Sequence, residues 1–278
     1  MPACSAAAPS DPTSQQPDPV ISECTADPPC SGAAADKQGN PAMCVQAVDA
    51  TVVSSAGLPV SGFHATLCGN NLCKNAQSDA DGKLHFSVCQ YMFHPALDVP
   101  GKSAYVTYAI PIPHDLYAVG PCELVPLQGP GDLLETQAAA HTYSAAGVSL
   151  LVDGGTEVQV SEINHPEPDD RKFRAARLPQ SAAPTLAQTS PGLELFYGLA
   201  PTGSKLAKPA RLTVPNPDAW PAGTRVAFYL QGVPASDGGT GAPADWLKVA
   251  TGQVDKGGAT ITTETGISYL ALVGIKRL

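Results

Sequence analysis

All eight cysteines of this chain lie between Cys4 and Cys122, and the remaining 156 residues (278 − 122) contain none. The front half can therefore be cross-linked, whereas the back half must hold together by packing alone. The local spacings Cys24-x5-Cys30 and Cys68-x4-Cys73 differ from the Cys-x2-Cys of usual zinc and redox motifs. An even number of thiols without a metal spacing is typical of proteins that fold outside the reducing cytosol.

Disulfide bonds are therefore the expected state of these cysteines. The candidates are Cys24, Cys30, Cys44, Cys68, Cys73, Cys89 and Cys122. The sequence leaves their connectivity open. We favour Cys24–Cys30 and Cys68–Cys73 as local pairs, and we regard Cys89 as the best partner for Cys122 or Cys44. Four scattered cysteines that act as metal ligands are the alternative.

Composition limits the partners of the chain. Charged residues make up 15%, below the roughly 25% typical of soluble proteins, and 28 prolines with 26 glycines favour short strands and tight turns. The formal net charge of −9 and the pI of about 5.0 argue against nucleic acid and anionic membrane surfaces as partners. No run of residues approaches the roughly 18 apolar residues of a membrane span.

The segment 1–43 is rich in Ala, Pro, Ser and Asp and has almost no bulky apolar side chains. It cannot bury enough surface to offset its conformational entropy, so we predict a disordered stalk. The opening MPACSAAAPS has no basic, apolar leader, so either the chain is not exported or a leader has been removed. The cysteines favour the second option and an extracytoplasmic location. Cys4 is a candidate lipid anchor, although Pro2-Ala3 fits the usual signal for lipidation poorly.

Beyond Cys44 the sequence pattern changes to alternating apolar and polar residues. Phe63–Cys68 and Leu84–Cys89 alternate on either side of the turn Asp79-Ala80-Asp81-Gly82. Such stretches between Gly- and Asp-containing turns are typical of antiparallel strands. Ala104–Ile110 and Glu123–Leu127 are predicted to be further strands.

Residues 45–128 resemble the carboxypeptidase regulatory-like (transthyretin-like) β-sandwich. The resemblance rests on Gly57–Gly62 and on Ser78–Phe86, where Asp81-Gly82 makes the tight turn and Leu84 and Phe86 face the core. It implies a sandwich domain over residues 44–128 and a non-catalytic accessory or adhesive role. The inserted cysteines depart from the family pattern and are interpreted as local staples.

The segment 129–146 is rich in Gly and Ala, with a helical tendency at Asp132–Ala140, and we predict that it links two domains. The domain that follows, 147–278, opens with Gly147–Val152 and Thr156–Val160, which we predict to form one hairpin. Further along, Lys208, Pro209 and Pro215 are expected to protect a sheet edge against unwanted pairing.

The cysteine-free block 147–275 resembles the ZU5-type β-sandwich. The residues that carry this resemblance are Ala200-Pro201-Thr202-Gly203, Lys208–Pro215, Trp246 and Gly266–Tyr269. In some relatives a His-Phe-Ser sequence on the final strand supports backbone self-cleavage. Here Gly266-Ile267-Ser268 takes that place, so the histidine is absent.

Few residues of this sequence are candidates for a metal-binding or catalytic site. His85, Met92 and His94 combine soft and borderline ligands that suit copper, and the alternative is that they are ordinary surface or half-buried side chains. His114 lacks the second histidine that an intradiol-type iron site needs. The acidic loop Glu162–Asp170 offers oxygen ligands for calcium but has no EF-hand spacing, and a solvated loop is the simpler interpretation.

Trp220 lies in a proline-flanked turn, where an exposed indole would stack on a sugar or on another protein. No Gly-x-Ser-x-Gly elbow is present for a serine hydrolase. We therefore predict an all-β, two-sandwich protein on a disordered stalk, with no catalytic residue and no cofactor. Its predicted role is that of a secreted or tethered structural or adhesive module that binds protein or glycan, or self-assembles. A copper carrier and a self-processing domain are the alternatives.

Overall fold

The computed structural model describes residues 43–69, 71–93, 96–99, 106–109, 116–129, 131–162, 165–179, 192–233, 238–239 and 245–278. The predicted stalk therefore lies outside the described residues, apart from Met43. The structure is all-β, as predicted. Within these ranges, no helix has the length and apolar character needed to cross a bilayer.

The strands between Met43 and Leu124, here called the front domain, form two small sheets. Its described strands are β1 (Met43–Ser54), β2 (His64–Cys68), β3 (Cys73–Gln77), β4 (Lys83–Met92), β5 (Ala96–Val99), β6 (Val106–Ala109) and β7 (Leu116–Leu124). One sheet has the order β4-β1-β7 and the other β3-β2-β5-β6. β1 pairs antiparallel with β4 but parallel with β7, a mixed arrangement that the antiparallel expectation did not include.

The alternation predicted for β4 is confirmed by its burial. Leu84 and Phe86 are buried, while Lys83 and His85 are exposed on the other face. Gly82 makes the turn before β4 with φ +74°, and a Cβ added there would lie 2.4 Å from the carbonyl oxygen of Val52. Only glycine therefore fits this position.

The described residues from 131 to 278, here called the back domain, are dominated by one large sheet. Its described strands are β8 (His141–Ala145), β9 (Val148–Val152), β10 (Val158–Gln159), β11 (Arg174–Leu178), β12 (Leu195–Ala200), β13 (Lys205–Pro215), β14 (Arg225–Gln231), β15 (Trp246–Val254), β16 (Thr260–Thr263), β17 (Ile267–Tyr269) and β18 (Leu272–Arg277), with a 3-10 turn at Pro168–Arg171. The order is β11-β12-β18-β14-β15-β16-β13-β9-β8, and β10 and β17 also pair with β13. The sheet encloses a core that includes Tyr143, Phe173, Tyr197 and Phe228.

The predicted hairpin between Gly147–Val152 and Thr156–Val160 is wrong. β9 pairs instead with β8, through a two-residue turn at Ala146 (φ +51°) and Gly147 (φ +77°). Two positive φ values in succession define the type I′ turn that best matches the twist of paired strands. β10 pairs with β13.

The helix suggested at Asp132–Ala140 is also wrong, because the first residues of this segment are extended and pair with the residues that precede β11. Gly131 donates its N–H to the carbonyl of Phe173 (3.1 Å), and Phe173 donates to Asp132 (2.9 Å). Leu134 is buried in the back core. Part of the predicted linker thus covers a sheet edge, and its last residues form β8.

β13 lies inside the sheet, so the expectation of an edge at Lys208, Pro209 and Pro215 is wrong. The strand pairs with β9 on one side and with β16 and β17 on the other. Its register with β17 shifts between Lys205 and Ala210. A proline without an N–H is tolerated where the ladder is already interrupted, which explains Pro209.

The two domains share apolar side chains in one group, here called the shared cluster. Its buried members include Val45, Val48, Ala50, Val52, Ala65, Leu67, Leu84, Phe86, Val88, Met92, Leu97 and Cys122 from the front domain, and Leu178, Leu193, Phe196 and Leu272 from the back domain. β12 accordingly buries both of its faces. One face packs inside the back domain and the other belongs to the shared cluster.

Candidate functional site

The large sheet opens where β15 and β17 separate. β15 pairs with β16 only from Gly252, opposite Thr263, to Val254. Four residues further along each strand, the same register would set Lys248 opposite Ile267, but β17 pairs with β13 instead. Among the described strands, none pairs with this edge of β15 over Trp246–Ala250.

The opening forms a groove of about 360 Å³, here called the β15–β17 groove. It is lined by Gln159, Lys205, Leu206, Ala207, Pro209, Leu230, Val233, Leu247, Val249, Ser268 and Tyr269. Leu206, Leu230 and Val233 are themselves members of the back core. The floor of the groove is therefore the buried margin of the back core, and Lys205 is the one charged side chain among the described lining residues.

This geometry suits an extended polypeptide. The edge of β15 presents backbone N–H and C=O groups, and side chains on alternate positions of an added strand would enter the apolar floor. Leu247 and Val249 line the groove, while Lys248 between them is exposed. The exposed edge and the apolar floor thus lie side by side.

The predicted contact residue Trp220 is not exposed. Its side chain is 5% accessible and belongs to the back core, and the guanidinium of Arg277 lies 5.3 Å from the centre of its ring. The peptide N–H of Trp220 donates to the side chain of Asn216 (3.1 Å), which fixes the turn. The indole therefore offers little surface to a ligand.

Around this turn, the charged groups pair with each other. Arg277 donates from Nε to Glu194 (2.9 Å), and this hydrogen bond is the main cause of the lowered pKa of Glu194. Arg177 binds Asp218 at 3.1 Å. Burial raises the pKa of Tyr197 to about 12, and its hydroxyl donates to the carbonyl of Pro215.

The proposed copper ligands do not come together. His85 lies on the outer face of β4 with its Nδ1 2.6 Å from Asp49, whereas Met92 is fully buried in the shared cluster. His94 and His114 lie outside the described residues. Among the described side chains, no three of His, Cys, Asp or Glu lie close enough to hold a metal ion.

The acidic loop is held by neighbouring cations. Arg171 binds Glu162 at 2.8 Å and also donates to the carbonyls of His165 and Pro166. Asp169 is 2.8 Å from Lys172. Basic residues thus occupy carboxylates that the calcium interpretation needs.

Of the predicted disulfides, Cys68–Cys73 is confirmed and closes the turn between β2 and β3. Cys89 is also disulfide-bonded, while Cys122 is a buried thiol, so these two are not joined to each other. Cys44 lies on β1, and nothing is described of its side chain. Cys4, Cys24 and Cys30 lie outside the described residues, so the lipid anchor and the Cys24–Cys30 pair remain predictions.

Reasoning from sequence missed the β15–β17 groove. Ser268, which was considered only for self-processing, lies on its rim. That alternative stays a prediction. The local sign of the groove is the segment Glu264-Thr265-Gly266, which follows the last β15–β16 pair at Thr263 and contains Gly266 with φ +84°.

Comparison with known proteins gives no family. Neither a protein-family model nor a curated protein matches this chain. Among solved structures, the Bacillus anthracis TIE protein overlaps 84% of this chain and 45% of its own length, at 8% identity and a TM-score of 0.25. The full-length major pilin SpaD from Corynebacterium diphtheriae overlaps 83% of this chain and 55% of its own length, at 8% identity and a TM-score of 0.24.

A DUF3823 family protein from Bacteroides ovatus overlaps 85% of this chain and 96% of its own, at 9% identity and a TM-score of 0.21. The chain spans about half the length of the first two of these proteins. TM-scores this low do not establish a common fold. The three structures therefore carry no weight for the function of this chain.

Proposed function

We propose that this protein is an extracytoplasmic, non-enzymatic structural module that binds a polypeptide through the β15–β17 groove. The observation that supports this is the edge of Trp246–Ala250, with which none of the described strands pairs, beside a groove floor of apolar side chains. Binding by strand addition draws affinity from backbone hydrogen bonds and specificity from alternate side chains. The Cys68–Cys73 disulfide is consistent with folding outside the cytosol.

A structural module also needs to be rigid, and the shared cluster supports this second property. Phe196 and Leu272 of the back domain are buried with residues of the front domain, and this shared burial supports a single rigid body. A rigid body holds its groove in a fixed orientation, and this limits the conformational entropy lost on binding. Glycan binding, the other predicted role, stays a prediction.

The test uses the full chain and the peptide KVTVTVK, whose alternation matches a strand. We expect binding to slow amide hydrogen exchange at Leu247–Ala250, because the free edge becomes hydrogen-bonded. Val249→Lys places a charge in the groove and should weaken binding at least tenfold. Lys248→Ala, on the same strand but outside the groove, is the matched control and should bind as the wild type does.

Two results would contradict the proposal. One is peptide binding that Val249→Lys leaves unchanged. The other is protection that appears elsewhere on the molecule while Leu247–Ala250 exchanges at its original rate. Circular dichroism of each variant establishes that the fold is retained.

A further inference from the structure

The edge of β15 beside the β15–β17 groove carries one lysine between apolar side chains. Leu247 and Val249 line the groove, and Lys248 between them is exposed. Successive side chains of a strand point to opposite faces, so Lys248 lies on the outer face of the large sheet. This edge therefore has an apolar face toward the groove and a cation on its other face.

Lys248 has no opposite charge beside it in the described part of the sheet. Its partner on β14 is Tyr229, and Gly274 lies opposite that tyrosine on β18. The ion pairs among the described residues do not include Lys248. Its ammonium group is therefore available to a partner that pairs along this edge.

An added strand would place one of its own side chains next to Lys248. In paired strands, residues directly opposite each other point to the same face, with their Cβ atoms about 4.5–5.5 Å apart. The residue opposite Lys248 would therefore lie on the outer face, and its two neighbours would point into the groove, toward Leu206 and Leu230. At this separation an opposite charge stabilises the pair and a like charge destabilises it.

A lysine on an exposed strand edge also discourages pairing with unsuitable strands. A carboxylate opposite Lys248 would reverse this effect, because the two charges compensate each other when the strands pair. The same lysine would thus disfavour most extended segments and favour one class of them, which is how specificity arises from repulsion and attraction together.

We infer that the partner of the β15–β17 groove is an extended segment with Asp or Glu between two apolar residues, and that Lys248 selects it by pairing with this carboxylate across the strands. The inference rests on the proposed function, because it names the side-chain pattern of the polypeptide that binds there. It agrees with the Lys248→Ala control, since the outward residues of a bound KVTVTVK are uncharged threonines.

The experiment compares the peptides KVEVEVK, KVTVTVK and KVKVKVK on the full chain. They differ only at the two positions between valines, so every register that buries the valines sets the same residue type opposite Lys248. We expect the glutamate peptide to bind about three- to tenfold tighter than the lysine peptide, with the threonine peptide between them. The net charge of −9 would by itself favour the reverse order. In about 1 M salt, which screens exposed charges, the difference should shrink.

Two variants locate the source of this preference. Lys248→Glu should reverse the order of the three affinities. Lys208→Glu is the matched control, because Lys208 is also exposed but lies on β13, between the lining residues Ala207 and Pro209. This control should leave the order unchanged, and circular dichroism checks that both variants are folded. If both variants reversed the order equally, general attraction would explain it, and the inference would be overturned.

Failure of the inference differs from failure of the proposed function. If the three peptides bind the wild type equally and Val249→Lys weakens all of them, the lysine only protects the edge, so the inference fails while the proposed function stands. If none of the three peptides binds the wild type, both fail.

Discussion

The front and back domains differ in where the residues of their cores come from. All described members of the back core lie between Leu134 and Ile275, within the back domain itself. The shared cluster, in contrast, combines the front core with Leu178, Leu193, Phe196 and Leu272 of the back domain. The front domain, which contains five of the eight cysteines, is thus the one whose core is incomplete by itself. Disulfide cross-links usually occur in domains whose cores are small, because they compensate for the stability that such cores lack.

The largest effect is expected when the two domains are produced as separate fragments. We expect residues 126–278 alone to fold, because their core is complete, and residues 43–128 alone to lack a cooperative transition, since burial of each missing large side chain is worth about 1.5–3 kcal/mol. Thermal unfolding by circular dichroism and dispersion of amide NMR signals check both fragments. Phe196→Thr with Leu272→Thr keeps the back fragment soluble if its newly exposed face aggregates. A cooperatively folded front fragment would refute the asymmetry.

Two matched phenylalanines sharpen the same comparison. Phe228 is fully buried in the back core and Phe86 is 2% exposed in the shared cluster. Each change to Ala should lower the free energy of unfolding by about 3–5 kcal/mol. Phe228→Ala should destabilise both domains, because the front domain loses its support, whereas Phe86→Ala should leave the back domain folded. Hydrogen exchange measured separately for the two domains shows which domain each variant destabilises. If Phe86→Ala destabilised the back domain as much as Phe228→Ala destabilised the front domain, the dependence would not be one-way.

Phe196 tests the contact between the domains directly. It is 4% exposed, belongs to the shared cluster, and its ring centroid lies 6.0 Å from that of Trp246. We expect Phe196→Ala to cost about 3 kcal/mol and to split one denaturation transition into two, with the front domain unfolding first. Denaturant titration followed by tryptophan fluorescence and by far-UV circular dichroism measures the separation. Coincident curves from the variant would mean that the domains remain coupled without the Phe196 side chain.

The Cys68–Cys73 disulfide closes a short loop, with a sequence separation of 5. In the chain-entropy model such a loop contributes about 2 kcal/mol, so Cys68→Ser with Cys73→Ser should lower the stability of the front domain by that amount. The back domain should not respond to this change or to reducing agent. A drop in the stability of the isolated back fragment on reduction would contradict this.

The smallest effect concerns pH. The pKa of Glu194 is lowered from its ordinary value of 4.5, first by the hydrogen bond from Arg277. A carboxyl with a lowered folded pKa contributes stability above its unfolded pKa and loses it as pH falls through the folded value. The pair is partly exposed, so Glu194→Gln should reduce stability at pH 7 by less than about 1 kcal/mol. The difference between wild type and variant should shrink as the pH falls below 4.5 and should vanish below the folded pKa of Glu194, and a difference that does not shrink on acidification would exclude this cause.

Local signals predicted part of this fold. The alternation of Leu84 and Phe86 and the turn at Gly82 are confirmed, because adjacent residues determine them. The short Cys68–Cys73 bridge is confirmed for the same reason. Glu123–Leu127 was predicted as a strand, but β7 ends at Leu124.

Features that depend on distant pairing were not predictable in this way. β9 pairs with β8 and not with β10. The Ala146-Gly147 turn between β8 and β9 is shorter than the connection through Asp153-Gly154-Gly155 between β9 and β10. Pro209 looked like an edge residue, but its strand is central. The β15–β17 groove arises where two strands fail to continue their pairing, and no single residue type marks such an event.

The parallel pairing of β1 with β7 has a mechanical consequence. Chain enters the front domain at the start of β1 and leaves toward the back domain at the end of β7, and in a parallel pair these points lie at opposite ends of the ladder. Tension between the N-terminus and the back domain would therefore pull the two strands along their length. Every hydrogen bond between them would share the load at once, instead of opening one after another as in a zipper.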